Sequence, residues 1–138
     1  MNIRRAKIAL AGFVLFLVAL VVLADSGHGQ RLFALASCIP AGDKIGHFVL
    51  FGILAFLVNF IWRTAPMRLL GLRVLKGSAV IMAVVTLEEC SQILFRARSF
   101  DLLDLASDAL GIGLFGWLAV AYLERKRKPL QPATVPTR

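Results

Sequence analysis

Three short blocks of ionisable and amide side chains interrupt an otherwise apolar chain: Asp43, Lys44 and His47; Glu88, Glu89 and Gln92; and Asp104 with Asp108. The pairs Asp43/His47 and Asp104/Asp108 have i,i+4 spacing and Glu89/Gln92 has i,i+3 spacing, so in helices each pair shares a face. Carboxylates and an imidazole can exchange protons, and burial raises a carboxyl pKa towards a useful range, which makes Glu89 and His47 candidate general acids or bases. Lys44 and Arg98 are the candidate contacts for an anionic group. Asp43, His47 and Glu89 have acceptable chemistry as metal ligands, but His28 lies between two glycines and no HExxH-type spacing is present. No metal or cofactor is therefore assigned, and no nucleophile motif specifies a reaction. The plainer alternative is a clamp, in which Lys44, Arg98 and protonated His47 neutralise Glu89 and Asp104.

The elements that must position these residues follow from composition. Of 138 residues, 59% are hydrophobic and 17% charged, with a mean hydropathy of +0.79. Soluble domains run nearer ~45–50% apolar and ~25% charged, so a membrane protein is expected. Uncharged runs of membrane-crossing length place spans at about 8–24, 46–62, 77–95 and 102–123. The third is interrupted by Glu88 and Glu89, and the fourth holds Asp104 and Asp108 in its first turns. The expected fold is an all-α bundle of four transmembrane helices in one domain over 1–128, with a Pro-rich, disordered tail over 129–138.

Charge sets the orientation. Of the 16 Lys and Arg, most fall in the N-terminal arm (Arg4, Arg5, Lys7), the middle loop (Arg63, Arg68, Arg73, Lys76) and the tail after the fourth span. The first loop has only Arg31 and Lys44, and the third only Arg96 and Arg98. The positive-inside rule then puts both termini in the cytoplasm. All the acids except Glu124 lie on or near the opposite side. The formal charge of +8 is read as topogenic, with the cluster Arg125 to Lys128 facing lipid and no nucleic-acid partner. The middle loop, which mixes Met67, Leu69, Leu70, Leu72 and Val74 with basic residues, is expected to rest in the inner headgroup layer. Ala24 before Asp25 resembles a signal cleavage site and Leu35 to Cys38 a lipoprotein box. The length of the first apolar run and the box's distance from it favour an uncleaved first helix. Cys38 and Cys90 are expected to be unpaired.

An ionisable residue near the middle of a membrane helix costs about 2.5–3.5 kcal/mol on insertion scales, so the polar blocks should point into the bundle, where function is the default expectation. Gly111, with Gly113 and Gly116 nearby, would let a neighbouring helix approach closely.

At these residues the chain resembles the VanZ-like family of small bacterial membrane proteins. Asp43-Lys44-Ile45-Gly46-His47-Phe48, Glu89-Cys90-Ser91-Gln92 and the run from Arg98 to Gly111 carry the resemblance, through their order, spacing and shared depth. The family often has Asn where this chain has Asp108. The resemblance implies a multi-pass protein of the bacterial cytoplasmic membrane whose motif positions are Asp43, Lys44, His47, Glu89, Gln92, Arg98, Asp104 and Asp108. Its founding member is associated with resistance to the glycopeptide teicoplanin. The expected function is an outward-facing polar site that binds an envelope lipid, a cell-wall precursor or a glycopeptide. The alternatives are a membrane enzyme using Glu89 or His47, or a structural bundle supporting a partner protein.

Overall fold

The structure, a computed structural model, describes residues 1–26, 41–69, 71–92 and 101–127. Four helices carry the fold: α1 (Ile3–Asp25), α2 (Gly42–Ile61), α3 (Lys76–Ser91) and α4 (Leu102–Arg127). Between α2 and α3 lie two strands, β1 (Pro66–Leu69) and β2 (Leu72–Leu75). Helices over Ile3–Ala24, Gly42–Ile61 and Leu102–Lys126 are long and apolar enough to cross a membrane. These match the first, second and fourth expected spans. The third is shorter than expected: α3 has 16 residues and ends beside its glutamates, and the rest of the expected span lies outside the described residues, as do Arg98, Cys38 and the 129–138 tail. Cys90 is free and exposed.

Local sequence explains the helix ends. Asn2 caps α1, its side chain accepting from the Arg4 N–H at 3.1 Å, which satisfies one of the donors that the first turn leaves unpaired. Asp101 does the same for α4, its Oδ1 accepting from the Leu103 N–H at 2.8 Å. Asp43 and Asp104 sit in the first turns of α2 and α4, where the helix dipole favours a negative charge.

Packing centres on α2, which runs against α4 along its length and also receives α1 and α3. Leu54, Ala55 and Val58 of α2 meet Ile81 and Val85 of α3 and Ile112 of α4 in a buried cluster. From α1 come Leu10, Phe13 and Leu17, which with the buried Ala6 form one stripe at helical spacing. The rest of α1 is open, only 6% of its apolar window being buried. A water-soluble domain could not leave Leu15, Val18 and Val22 so exposed, whereas lipid accepts them without penalty.

The middle loop, expected as a headgroup-layer segment, has regular structure of its own. It folds as an antiparallel hairpin pairing Pro66 with Leu75 and Leu69 with Leu72, so the described chain is helical but not purely α. Met67-Arg68-Leu69 and Leu72-Arg73-Val74 alternate apolar and basic, the period of a strand rather than a helix. Gly71, at φ 80°, supplies the left-handed backbone that the intervening turn requires.

Near the hairpin, the fully buried Asn59 donates through Nδ2 to Ser78 Oγ at 2.9 Å, tying α2 to α3. Gly77 and Gly116 make room for this pair. A side chain at 77 would run into Asn59 Oδ1, and a Cβ at 116 would lie 2.7 Å from Ser78 Oγ.

Candidate functional site

At the end of the bundle opposite the hairpin, the start of α2, the end of α3 and the start of α4 meet, and the predicted polar residues meet with them. Lys44 occupies the middle. Its Nζ donates to Asp43 Oδ2 at 3.0 Å, to Asp101 Oδ2 at 2.9 Å and to Asp104 Oδ1 at 2.9 Å. An ammonium has three donors, and three carboxylates take them. Lys44 was expected to contact an external anion; its geometry is that of a clamp joining α2 to the head of α4.

One turn deeper on α2, His47 packs against Asp108. The imidazole Nδ1 lies 3.1 Å from Asp108 Oδ1 and 3.2 Å from Oδ2. An ionised carboxylate only accepts, so in that state Nδ1 carries the hydrogen and donates. Asp108 has no exposed surface, which makes the imidazole its only partner of opposite polarity among the described residues. The other ring nitrogen, Nε2, is 4.0 Å from Asp104 Oδ2 and belongs to a side chain still 18% exposed. Asp108 thus supplies a buried carboxylate that fixes the imidazole through Nδ1.

Glu89 is also fully buried. Its Oε1 accepts from the Asp101 backbone N–H at 2.7 Å and its Oε2 from Gln92 Nε2 at 2.8 Å. Gln92 reaches Glu88 as well, at 3.2 Å from Oε2. Glu89 therefore links the end of α3 to the start of α4. Each oxygen accepts one hydrogen bond and keeps a second lone pair, so Glu89 stays a candidate for proton transfer beside His47. Gly111 is buried at the crossing of α4 with α2, where a Cβ would collide with the Phe48 carbonyl oxygen.

Asp101 joins two of these networks yet was not among the expected site residues. The signal was present: an Asp immediately before Leu102-Leu103-Asp104 is an N-cap with an acid at the third helical position. A cap whose side chain also meets a lysine from another helix is a tertiary fact that local sequence does not carry. Asn59 was visible as a lone polar residue in an apolar run, but its partner Ser78 was not.

Carboxylates outnumber cations here among the described residues. Asp43, Asp101 and Asp104 contact Lys44, Asp108 contacts His47, and Glu88 and Glu89 sit at the end of α3 with Gln92. One oxygen each from Asp43, Asp101 and Asp104 lie within 4.8 Å of one another, and the Lys44 ammonium donates to all three, offsetting one of their three charges.

The Lys44 ammonium, then the Leu103 N–H, hold the Asp101 carboxyl below its usual range. A depressed folded pKa adds stability that is complete above the unfolded value of about 3.9 and is lost as pH falls through the folded value. Lys44→Met removes that contribution. Its thermal unfolding temperature in detergent should lie below wild type at pH 7, and the gap should narrow as pH falls below about 4. A gap that stays constant down to pH 3 would show that Lys44 does not act through these acids.

No protein-family model, curated protein or solved structure matches the chain.

Proposed function

We propose that this is a VanZ-like protein of the bacterial cytoplasmic membrane, with four spans and both termini in the cytoplasm, whose acidic end forms an outward-facing site for a polar envelope molecule. The observation that carries the reading is the His47–Asp108 pair. A fully buried carboxylate between helices of membrane-crossing length is expensive to place and points inward to an imidazole with one nitrogen left for a ligand. In this reading α3 completes the bundle as the shortest span, held by Glu89 and Asn59.

The topology rests on the charge bias and agrees with two contacts. The Met1 ammonium donates to the Tyr122 hydroxyl at 2.7 Å, and Lys76 Nζ lies 5.7 Å from the centre of the Trp62 ring. The first brings the start of α1 beside the far end of α4, and the second belongs to the hairpin end of the bundle, where the basic residues collect.

The site suits a hydrogen-bond donor. Lys44 is saturated, and the most exposed carboxylates are Asp43 and Asp101, with the partly exposed His47 beside them, which favours the hydroxyls or amines of a cell-wall precursor or lipid headgroup. An anionic part of the same ligand would fall to Arg98. The link to teicoplanin belongs to this proposal as its most specific form.

A second reading is favoured by the same pair. A carboxylate on Nδ1 fixes the tautomer that leaves Nε2 basic, the arrangement by which an imidazole takes a proton from a substrate hydroxyl. In this reading His47 is the base, with Glu89 as the other candidate.

The test uses His47→Ala and Asp108→Ala in a host whose teicoplanin sensitivity depends on this chain. Both variants should lose the phenotype while membrane abundance falls no more than twofold. Equal loss of abundance and phenotype would reduce the pair to a structural clamp. Labelling of an introduced cysteine at position 43 by a membrane-impermeant maleimide, in a background lacking Cys38 and Cys90, should occur from outside; labelling only after lysis would reverse the topology.

A further inference from the structure

The hairpin at the basic end places two positive charges face to face. Its register sets Arg68 directly opposite Arg73, with Met67 opposite Val74 and Leu69 opposite Leu72. Side chains alternate across a strand, so the two arginines share one face, while Met67, Leu69, Leu72 and Val74 share the other. Like charges directly opposed across two strands destabilise the pair, and an isolated two-stranded hairpin is marginal even without that burden. Both arginines are exposed, and among the described residues neither has an acidic partner. Beside them Pro66, Met67, Arg68 and Arg73 line an open groove of about 260 Å³.

We propose that this groove binds the phosphate ester of an anionic lipid headgroup, held between the Arg68 and Arg73 guanidiniums. Two planar guanidiniums on one face of the hairpin can both fork onto the oxygens of a phosphodiester, whose charge would turn their mutual repulsion into shared attraction. The surroundings select a lipid over free phosphate. Leu69 and Leu72 form the exposed apolar tip of the same hairpin, and Trp62, exposed at the end of α2, has the amphipathic character of residues at the headgroup level. Acyl chains would meet those side chains while the headgroup meets the arginines. The proposal rests on the membrane reading of the long helices and is independent of the polar site at the opposite end.

The test titrates the full chain, purified in a neutral detergent, with short-chain phosphatidylglycerol, phosphatidylcholine, glycerol phosphate and inorganic phosphate, followed by intrinsic tryptophan fluorescence. Phosphatidylglycerol should bind saturably and the other three should not. A basic residue near an anionic surface contributes about 1 kcal/mol, so Arg68→Gln and Arg73→Gln should each weaken binding about fivefold and the double variant about 25-fold. Arg68→Glu guards against an unfolded hairpin. It converts the repulsive pair into an attractive one, so it should unfold no earlier than wild type in detergent yet lose the lipid. Wild-type affinity in the double variant would overturn the proposal, and so would equal saturation by inorganic phosphate, which would mark a simple anion site. Flotation with zwitterionic vesicles separates the two levels. Flotation without any preference for phosphatidylglycerol sinks this inference alone, whereas failure to float sinks the membrane reading beneath it.

Discussion

Glu89→Ala should destabilise the protein by roughly 3 kcal/mol, because a buried polar group left without its partner costs about 1–3 kcal/mol. The Asp101 N–H, bonded to Oε1 at 2.7 Å, loses its acceptor, and Gln92 Nε2, bonded to Oε2 at 2.8 Å, is left with its longer contact to Glu88. Asp101 is also the cap of α4 and one of the carboxylates on Lys44, so the damage should spread from the α3 end to the α2–α4 clamp. Glu89→Gln behaves differently. Its amide oxygen can still accept from the Asp101 N–H, and its NH₂ can donate to a Gln92 side chain turned to offer its own oxygen. Unfolding by SDS titration should show the alanine variant shifted strongly and the glutamine variant close to wild type. The phenotype should survive in Glu89→Gln and vanish in His47→Ala. A stable Glu89→Gln protein without activity would assign proton transfer to Glu89 and remove it from His47.

Gly111→Ala should be equally damaging for a steric reason. The added methyl would meet the Phe48 carbonyl oxygen, and the carbonyl carbon lies 2.9 Å from the same point. Both are backbone atoms of α2, so no side chain can rotate away and the two helices must separate. Overpacking of this kind costs about 1–3 kcal/mol, occasionally more. Here the upper end applies, because the crossing at Gly111 holds Asp108, one turn earlier on α4, against His47, the neighbour of Phe48 on α2. Separation therefore weakens the pair that carries the functional reading. Gly113→Ala is the control: nothing lies within 4 Å of its added methyl, and its unfolding should match wild type. Equal stability of Gly111→Ala and Gly113→Ala would show that the helices do not approach as closely as described.

The sequence carried the long helices and the membership of the site better than its wiring. Uncharged runs located α1, α2 and α4 because hydropathy is a local property, and helical spacing aligned Asp43 with His47 and Asp104 with Asp108 because periodicity is local too. Which acid meets which base is not. Lys44 has two sequence readings, a contact for a ligand or a clamp on Asp104, and nothing in its neighbourhood along the chain decides between them or reveals Asp101 as a further partner. The departure at Asp108 looked like an unexplained extra charge until His47 was seen against it. The hairpin was missed for a different reason. Its alternation was on the page, but the mixture of leucines and arginines was weighed as composition and not as a period of two. Asp101 shows both limits, legible as a cap and illegible as a junction.

The shortness of α3 bears on how the chain enters a bilayer. The apolar α1 can partition as soon as it is made, its most apolar stretch having a mean hydropathy of 2.7 and almost no buried surface. A 16-residue helix ending beside Glu88 and Glu89 has no such independence. Its acids become tolerable only when Asp101 and Gln92 bond to Glu89, and its other end only when Ser78 meets Asn59. Gln92 comes with α3 itself, but Asn59 belongs to α2, already synthesised, and Asp101 to the head of α4, not yet emerged. In the four-span reading, α3 must therefore wait beside the translocon until α4 arrives, and the two insert as one unit. The order of biogenesis is written in the hydrogen bonds of the finished fold.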